Sequence, residues 1–213
     1  MPSALPASFT CRGVILAGGG ATRFGGAPKG LAEVGGRRTL DRVAEVLADV
    51  TGGPPILVAN APDAASWRPD LRPMADVLPG AGALGGLLTA VEAAAPHPAL
   101  VVAWDMPFVP AGLLRDLVGL LDGHDVAIPA SDGRRGLEPL CAAYGPACAA
   151  AIRAALARGD RRAIAFHPDV RVGILPLDAV RRHGDPDLLF FNVNTADDLA
   201  RAEALWRRAS SRS

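Results

Sequence analysis

Short apolar runs alternate with longer amphipathic stretches along this chain, the pattern expected of strands alternating with helices. Val14-Ile15-Leu16-Ala17 is an unbroken apolar run ending in Gly18-Gly19-Gly20, and it predicts a buried strand over 13–17. Leu100-Val101-Val102-Ala103 repeats the pattern and predicts a second fully buried strand over 99–104, ending at Asp105. Further runs predict strands over 55–59, 72–77, 125–129 and 139–144, with a late edge strand over 170–175. Helical periodicity predicts helices over 39–49, 84–95, 110–121, 146–158 and 195–207. Pro96 and Pro98 stop the second helix. Thr195 stands at the N-cap of the last, with Asp198 three places on in the capping-box position. The alternation predicts an α/β fold: a mainly parallel sheet wrapped by helices.

Composition narrows this picture. The chain has 213 residues, of which 50% are apolar, enough to build the core of one α/β domain. That domain is expected to span 1–213, with its core over about 12–207 and looser ends. Lys plus Arg equals Asp plus Glu at 22 each, so neither nucleic acid nor an anionic membrane is expected as a partner. Cys11, Cys141 and Cys148 lack CxxC spacing and read as small buried residues of a reducing compartment. Residues 1–10 show neither a basic segment nor a long apolar one, and no apolar run approaches a membrane span. The expectation is a cytoplasmic protein. His97, His124, His167 and His183 form no ligand cluster and are expected on exposed loops.

The chemistry concentrates after the first strand, in GVILAGGGATRFGGAPKGL over 13–31. Glycines let backbone N–H groups approach a polyphosphate closely, while Arg23 and Lys29 add charge that amides cannot supply. Lys29 is the only lysine in the chain. Two familiar phosphate motifs fail on spacing. Lys29 lies between Pro28 and Gly30 rather than before Ser or Thr, and Arg23 stands where a dinucleotide loop needs its last Gly or Ala. A nucleotide remains the ligand that suits such a loop, the alternative being a purely structural turn.

Asp105 ends an apolar strand and precedes Met106-Pro107. It reads as a Mg²⁺ ligand, because that ion favours one or two carboxylates completed by phosphate oxygens and water. The alternative is an N-cap for the helix beginning near Pro110. Lys29, with Arg23 as a second cation, would neutralise charge on the phosphates of such a nucleotide ligand. Asn60 and Asp76 also follow strands. Ligands of open α/β sheets sit beyond the carboxyl ends of strands, so these residues, the glycine loop and Asp105 should converge on one edge. Asp76 reads equally well as a turn residue. Asn194 could complete the metal or phosphate site, or satisfy backbone groups at the helix start. Glu138 could border an acceptor pocket or be a solvated loop residue.

The LAGG run with its following Arg, paired glycines and Lys-Gly-Leu resembles the nucleotidyltransferases of the Rossmann-like sugar-nucleotide fold, and most closely the molybdenum cofactor guanylyltransferases. The resemblance recurs at Val58-Ala59-Asn60, Asp76-Val77-Leu78-Pro79-Gly80, Gly85-Gly86-Leu87, Asp105-Met106-Pro107-Phe108, Glu138-Pro139-Leu140 and Phe191-Asn192-Val193-Asn194-Thr195. It therefore covers nearly the whole chain. It implies a three-layer fold with helices on both sheet faces, and Mg²⁺-dependent transfer of GMP from GTP to molybdenum-molybdopterin. It further implies transient contact with cofactor-insertion proteins or recipient molybdoenzymes. By the same resemblance Leu16, Ala17, Gly18 and Gly19 frame the nucleotide, Asn60 and Asp76 contact it, and Lys29, Arg23 and Asp105 carry the transfer. The chain departs from the family at Pro28, where Asp usually precedes the lysine, at Trp104, where a small residue or Cys is common, and at Ala83, a frequent Pro. Related cytidylyltransferases and sugar-phosphate nucleotidyltransferases tend to carry LAAG instead of LAGG. A nucleotide-binding partner protein without catalysis is the alternative of another class.

Overall fold

The structure is a computed structural model, and it describes residues 11–18, 28–133 and 136–210. Strand β1 (Arg12–Ala17) is the third strand across a seven-stranded sheet. To one side it pairs in parallel with β4 (Ile56–Ala59), which pairs in parallel with the short edge strand β5 (Pro73–Met74). To the other side it pairs in parallel with β6 (Ala99–Ala103), so that Val14 lies between Ile56 and Val101. Beyond β6 come β8 (Cys141–Tyr144), antiparallel to it, then β7 (Val126–Pro129) and the edge strand β9 (Val172–Leu175).

Strands buried on both faces sort their side chains alternately to two cores. Ile15 and Ala17 of β1, with Leu100 and Val102 of β6, pack beneath α1 (Thr39–Thr51) and α4 (Ala111–Leu120). Val14, Leu16, Ala99 and Val101 face the opposite way, beneath α3 (Gly82–Ala94) and α5 (Cys148–Ala157). The chain winds from β1 outward through β4 to β5, then returns to lay β6 on the other side of β1. Right-handed crossovers oblige that reversal to put α3 on the face opposite α1. The switch between β1 and β6 opens the crevice in which such sheets bind ligands.

The helices and strands fall close to the sequence expectations. The third strand is the main exception: it was expected over 72–77 but covers Pro73–Met74 alone. Past Met74 the backbone donors go to side chains instead of a neighbouring strand. Asp76 N donates to Asn60 Oδ1 at 2.8 Å and Val77 N to Thr89 Oγ1 at 3.0 Å. The segment after Lys29, given no structure in the sequence reading, forms a 3₁₀ turn over Lys29–Leu31 and a hairpin of β2 (Glu33–Val34) and β3 (Arg37–Arg38). Three short helices also escaped it: α2 (Ala64–Trp67), α6 (Leu177–Arg181) and α7 (Pro186–Leu189). The last helix, α8 (Ala196–Ser210), runs past the expected end at 207. Its capping box forms as the sequence implies: Asp198 N donates to Thr195 Oγ1 at 3.1 Å and Thr195 N to Asp198 Oδ2 at 2.9 Å.

A third, smaller apolar cluster joins Val34 of the hairpin, Phe191, Val193 and Ala202, with Phe108 and Trp206 packed against it. It lies apart from the two sheet cores and locks α8 against the hairpin, where Gly35 N donates to Glu203 Oε1 at 2.7 Å.

Candidate active site

Four adjacent parallel strands, β5-β4-β1-β6, end on one edge of the sheet, and a cavity of about 460 Å³ opens there. Leu16, Ala17 and Gly18 form its floor at the end of β1. Asn60 follows β4, Asp76 follows β5 and Asp105 follows β6, and all three line it. Gly80, Gly82, Ala83 and Gly86, from the loop into α3 and its first turns, form one wall. Lys29, Asn192 and Asn194 close the other side. The convergence expected of Lys29, Asn60, Asp76 and Asp105 is therefore found, and Asn194 joins it. Arg23 and Gly19 lie outside the described residues.

At one end the side chains form a charged cluster. Lys29 Nζ donates to Asp105 Oδ2 at 2.5 Å and to Asn194 Oδ1 at 2.8 Å. Asp105 is 4% exposed and one of three polar residues buried among those described, the others being Thr39 and Thr89. Burying a carboxylate without a partner is costly, and Lys29 supplies the partner. Asp105 O also accepts from Val193 N at 3.0 Å, tying the end of β6 to the residue beside Asn194. The N-cap alternative for Asp105 fails, because α4 begins at Ala111 with Pro110 as its N-cap. Asp198 Oδ2 accepts from Asn194 N at 3.1 Å as well as from Thr195 N, so the helix start is capped by Asp198 and the Asn194 amide is left for the lysine.

At the other end Asn60 and Asp76 hold each other. Asn60 Nδ2 donates to Asp76 Oδ2 at 2.7 Å while Asp76 N donates to Asn60 Oδ1. Both polar atoms of the asparagine are thus engaged, which makes it a brace for Asp76. A Cβ added at Gly86 would lie 3.7 Å from Leu16 Cδ2 and 3.9 Å from Asp76 Oδ1, so the bare glycine keeps a slot open between an apolar wall and a carboxylate. No sequence signal singled out Gly86 beyond its place in Gly85-Gly86-Leu87.

A second cavity, about 620 Å³, adjoins the first at Ala83 and is lined also by Leu137, Pro139, Arg161 and Arg162. Arg161 donates to Gly80 O at 2.8 Å, and Arg162 pairs with Asp160, whose carboxyl it holds down at about 2. Sequence reading missed both arginines, since Gly-Asp-Arg-Arg resembles an ordinary helix-ending turn. Glu138 lines neither cavity; its Oε1 accepts from Leu140 N at 3.3 Å. The histidines correct the expectation of exposed loops, for all four are half-buried. His183 Nε2 lies 2.8 Å from Asp116 Oδ2, and burial pushes the His167 imidazole below its ordinary value. The cysteines are free and buried as expected, and burial raises Cys11 to about 11 and Cys148 to about 12. No helix among the described residues is long and apolar enough to cross a membrane.

A Rossmann-like sheet with a nucleotide-sized cavity at its switch point, bearing a lysine, a buried aspartate and a glycine-lined slot, defines a nucleotidyltransferase. The chain belongs to the family described as the MobA-like NTP transferase domain, which matches residues 13–171. It is 38% identical to a probable molybdenum cofactor guanylyltransferase of Pelotomaculum thermopropionicum, over 91% of this chain and 92% of that one. It is 34% identical to the molybdenum cofactor guanylyltransferase of Desulfosudis oleivorans, over 90% and 94% respectively. Among solved structures it is similar to molybdopterin-guanine dinucleotide biosynthesis protein A of Archaeoglobus fulgidus. That match has a TM-score of 0.75 and 28% identity, covering 92% of this chain and 99% of the other.

Proposed function

We propose that this enzyme transfers GMP from GTP to the phosphate of molybdenum-molybdopterin, with Mg²⁺, and releases pyrophosphate. The observation that carries the reading is the Lys29–Asp105–Asn194 cluster at one end of the switch-point cavity. An acceptor phosphate oxygen attacks the α-phosphorus of GTP. The bond from that phosphorus to the bridging oxygen of the β-phosphate breaks, and pyrophosphate leaves with the electron pair. Such a step needs positioning and charge stabilisation but no protein nucleophile. Lys29 Nζ is the cation for the triphosphate, and it exchanges its bond to Asp105 for phosphate oxygens as GTP enters.

The donor set suits a hard divalent ion. Asp105 Oδ2 and Asn194 Oδ1 are oxygens close enough to share one ammonium, and no group of three His, Cys, Asp or Glu among the described residues could hold a metal without substrate. Mg²⁺ accepts few protein ligands and completes its shell from phosphate and water. Asp105 and Asn194 would hold it, and it would supply neutralisation of charge on the triphosphate. Guanine is read at the Asp76 end: a carboxylate accepts from N1–H and the N2 amino group, an edge that cytosine lacks. Arg161 and Arg162 suit the adjoining cavity to an anionic acceptor, which reaches the α-phosphate past Ala83. The cytoplasm, which holds GTP and keeps thiols such as these reduced, is the compartment proposed. Delivery of the product implies transient contact with insertion or recipient proteins.

Pyrophosphate release by the purified protein tests this reading. Release is expected from GTP with Mg²⁺ and the pterin acceptor, and not when either is omitted. Equal turnover of GTP, CTP, ATP and UTP would overturn the guanylyl assignment, and no turnover with GTP, metal and acceptor together would overturn the enzyme reading.

A further inference from the structure

The residue after Lys29 and the residue before Asp105 touch. Gly30 is buried against the face of the Trp104 indole, so closely that a Cβ at Gly30 would overlap ring atoms Cε3 and Cδ2. On its other side Gly30 O accepts from the buried Thr39 hydroxyl at 2.9 Å, and Thr39 N donates to Ala32 O at 3.0 Å. The 3₁₀ turn that carries the lysine is thus held between the start of α1 and one aromatic ring.

That ring is itself fixed by packing. Trp104 is 1% exposed, and its Nε1 is buried with no hydrogen-bond partner among the described residues. A buried indole normally finds an acceptor, so among the described residues the ring lacks the polar anchor that usually sets its orientation. Trp67 provides the backing: the two rings stack with centroids 4.8 Å apart and planes 27° apart. Trp67 does have an anchor, Nε1 donating to Asp63 Oδ2 at 3.0 Å. On the backbone side Trp104 N donates to Leu16 O at 3.2 Å, which joins the end of β6 to the cavity floor.

We infer that Trp104 is a positioning residue for catalysis: its ring, backed by Trp67, sets how far the Lys29 turn stands from Asp105. Pro28 offers the lysine no polar side chain, so the placement of its ammonium depends on this packed turn together with Asp105 and Asn194. A displacement of the turn by about 1 Å moves the cation off the phosphate charge, and such misplacement removes about a hundredfold of rate. The loss falls on kcat, because the lysine acts most strongly on charge that develops in the transition state. This inference rests on the catalytic reading of Lys29.

The test is a small mutant cycle read by kcat, by KM for GTP and by melting temperature. Trp104→Cys is expected to lower kcat about 10- to 100-fold with KM for GTP within about twofold of wild type. Trp104→Phe, which keeps a ring over Gly30, is expected to keep most of the activity. Gly30→Ala is expected to lose as much as Trp104→Cys, because its Cβ meets the indole. The double variant Gly30→Ala with Trp104→Cys is expected to recover kcat above either single variant, since the methyl group refills the space that the ring vacates. Should Gly30→Ala fail to fold, the Cys and Phe variants decide alone. Losses that multiply in the double variant would overturn the inference. So would Trp104→Cys with wild-type kcat, or a Phe variant no better than the Cys variant. Absence of turnover in the wild-type protein would instead defeat the catalytic reading itself.

Discussion

The two ends of the cavity hold an aspartate each, in opposite states. Asp105 is buried, paired with the only lysine of the chain, and tied through its carbonyl to Val193 N. Asp76 stands on an exposed segment, braced among the described residues by the neutral amide of Asn60. A buried ion pair is strongly coupled and little screened, so removing one partner strands the other. A half-buried carboxylate that water still reaches loses little when its brace is removed, and it is available to a ligand edge. In the proposed mechanism, charge for the reaction is built into the Asp105 end, and recognition is left to the Asp76 end.

Substitutions at the two ends should separate along that line. Lys29→Ala or Asp105→Asn is expected to lower kcat by about 100- to 1000-fold, the usual effect of losing one charge-stabilising contact. Steady-state pyrophosphate release measures it, and a loss confined to KM would erase the distinction between the two ends. Asp76→Asn should leave kcat with GTP within about tenfold of wild type and cut the preference for GTP over CTP by about 10- to 100-fold, the worth of a bidentate base contact. Asn60→Ala should do the same more weakly. Calorimetric titration with each nucleotide in the presence of Mg²⁺ reads this directly, and an unchanged preference would remove Asp76 from base reading.

The smallest effect lies away from both ends, at His167. Burial lowers its folded-state pKa, so as pH falls below about 6.5 the unfolded chain takes up the proton first. The stabilisation is complete above the ordinary histidine value and is lost as pH falls toward the lowered folded value. The melting temperature should drop between pH 7.5 and 5.5 by more in wild type than in His167→Phe. Equal drops would show that the imidazole is not desolvated.

Much of this architecture could be read from residue order. Runs such as 14–17 and 100–103 are apolar at every position because both faces of the strand are covered, and that continuity marks a central strand without any knowledge of its neighbours. The capping box of α8 is a local pattern and formed as written. The strand expected over 72–77 came out short because side chains of Asn60 and Thr89, 12 to 16 residues away, compete for its backbone donors. The β2–β3 hairpin went unread because its apolar partner, α8, lies some 165 residues further on and has no local trace.

Chain order alone thus settled the main strands and helices and the family resemblance, since each depends on neighbours in the polymer. That Lys29 and Asp105 share a hydrogen bond across 76 positions, that Asn60 braces Asp76, and that Trp104 presses on Gly30 were settled only by folding. Contacts of that kind depend on distance in space, which the crossing at the switch point creates and no local pattern records.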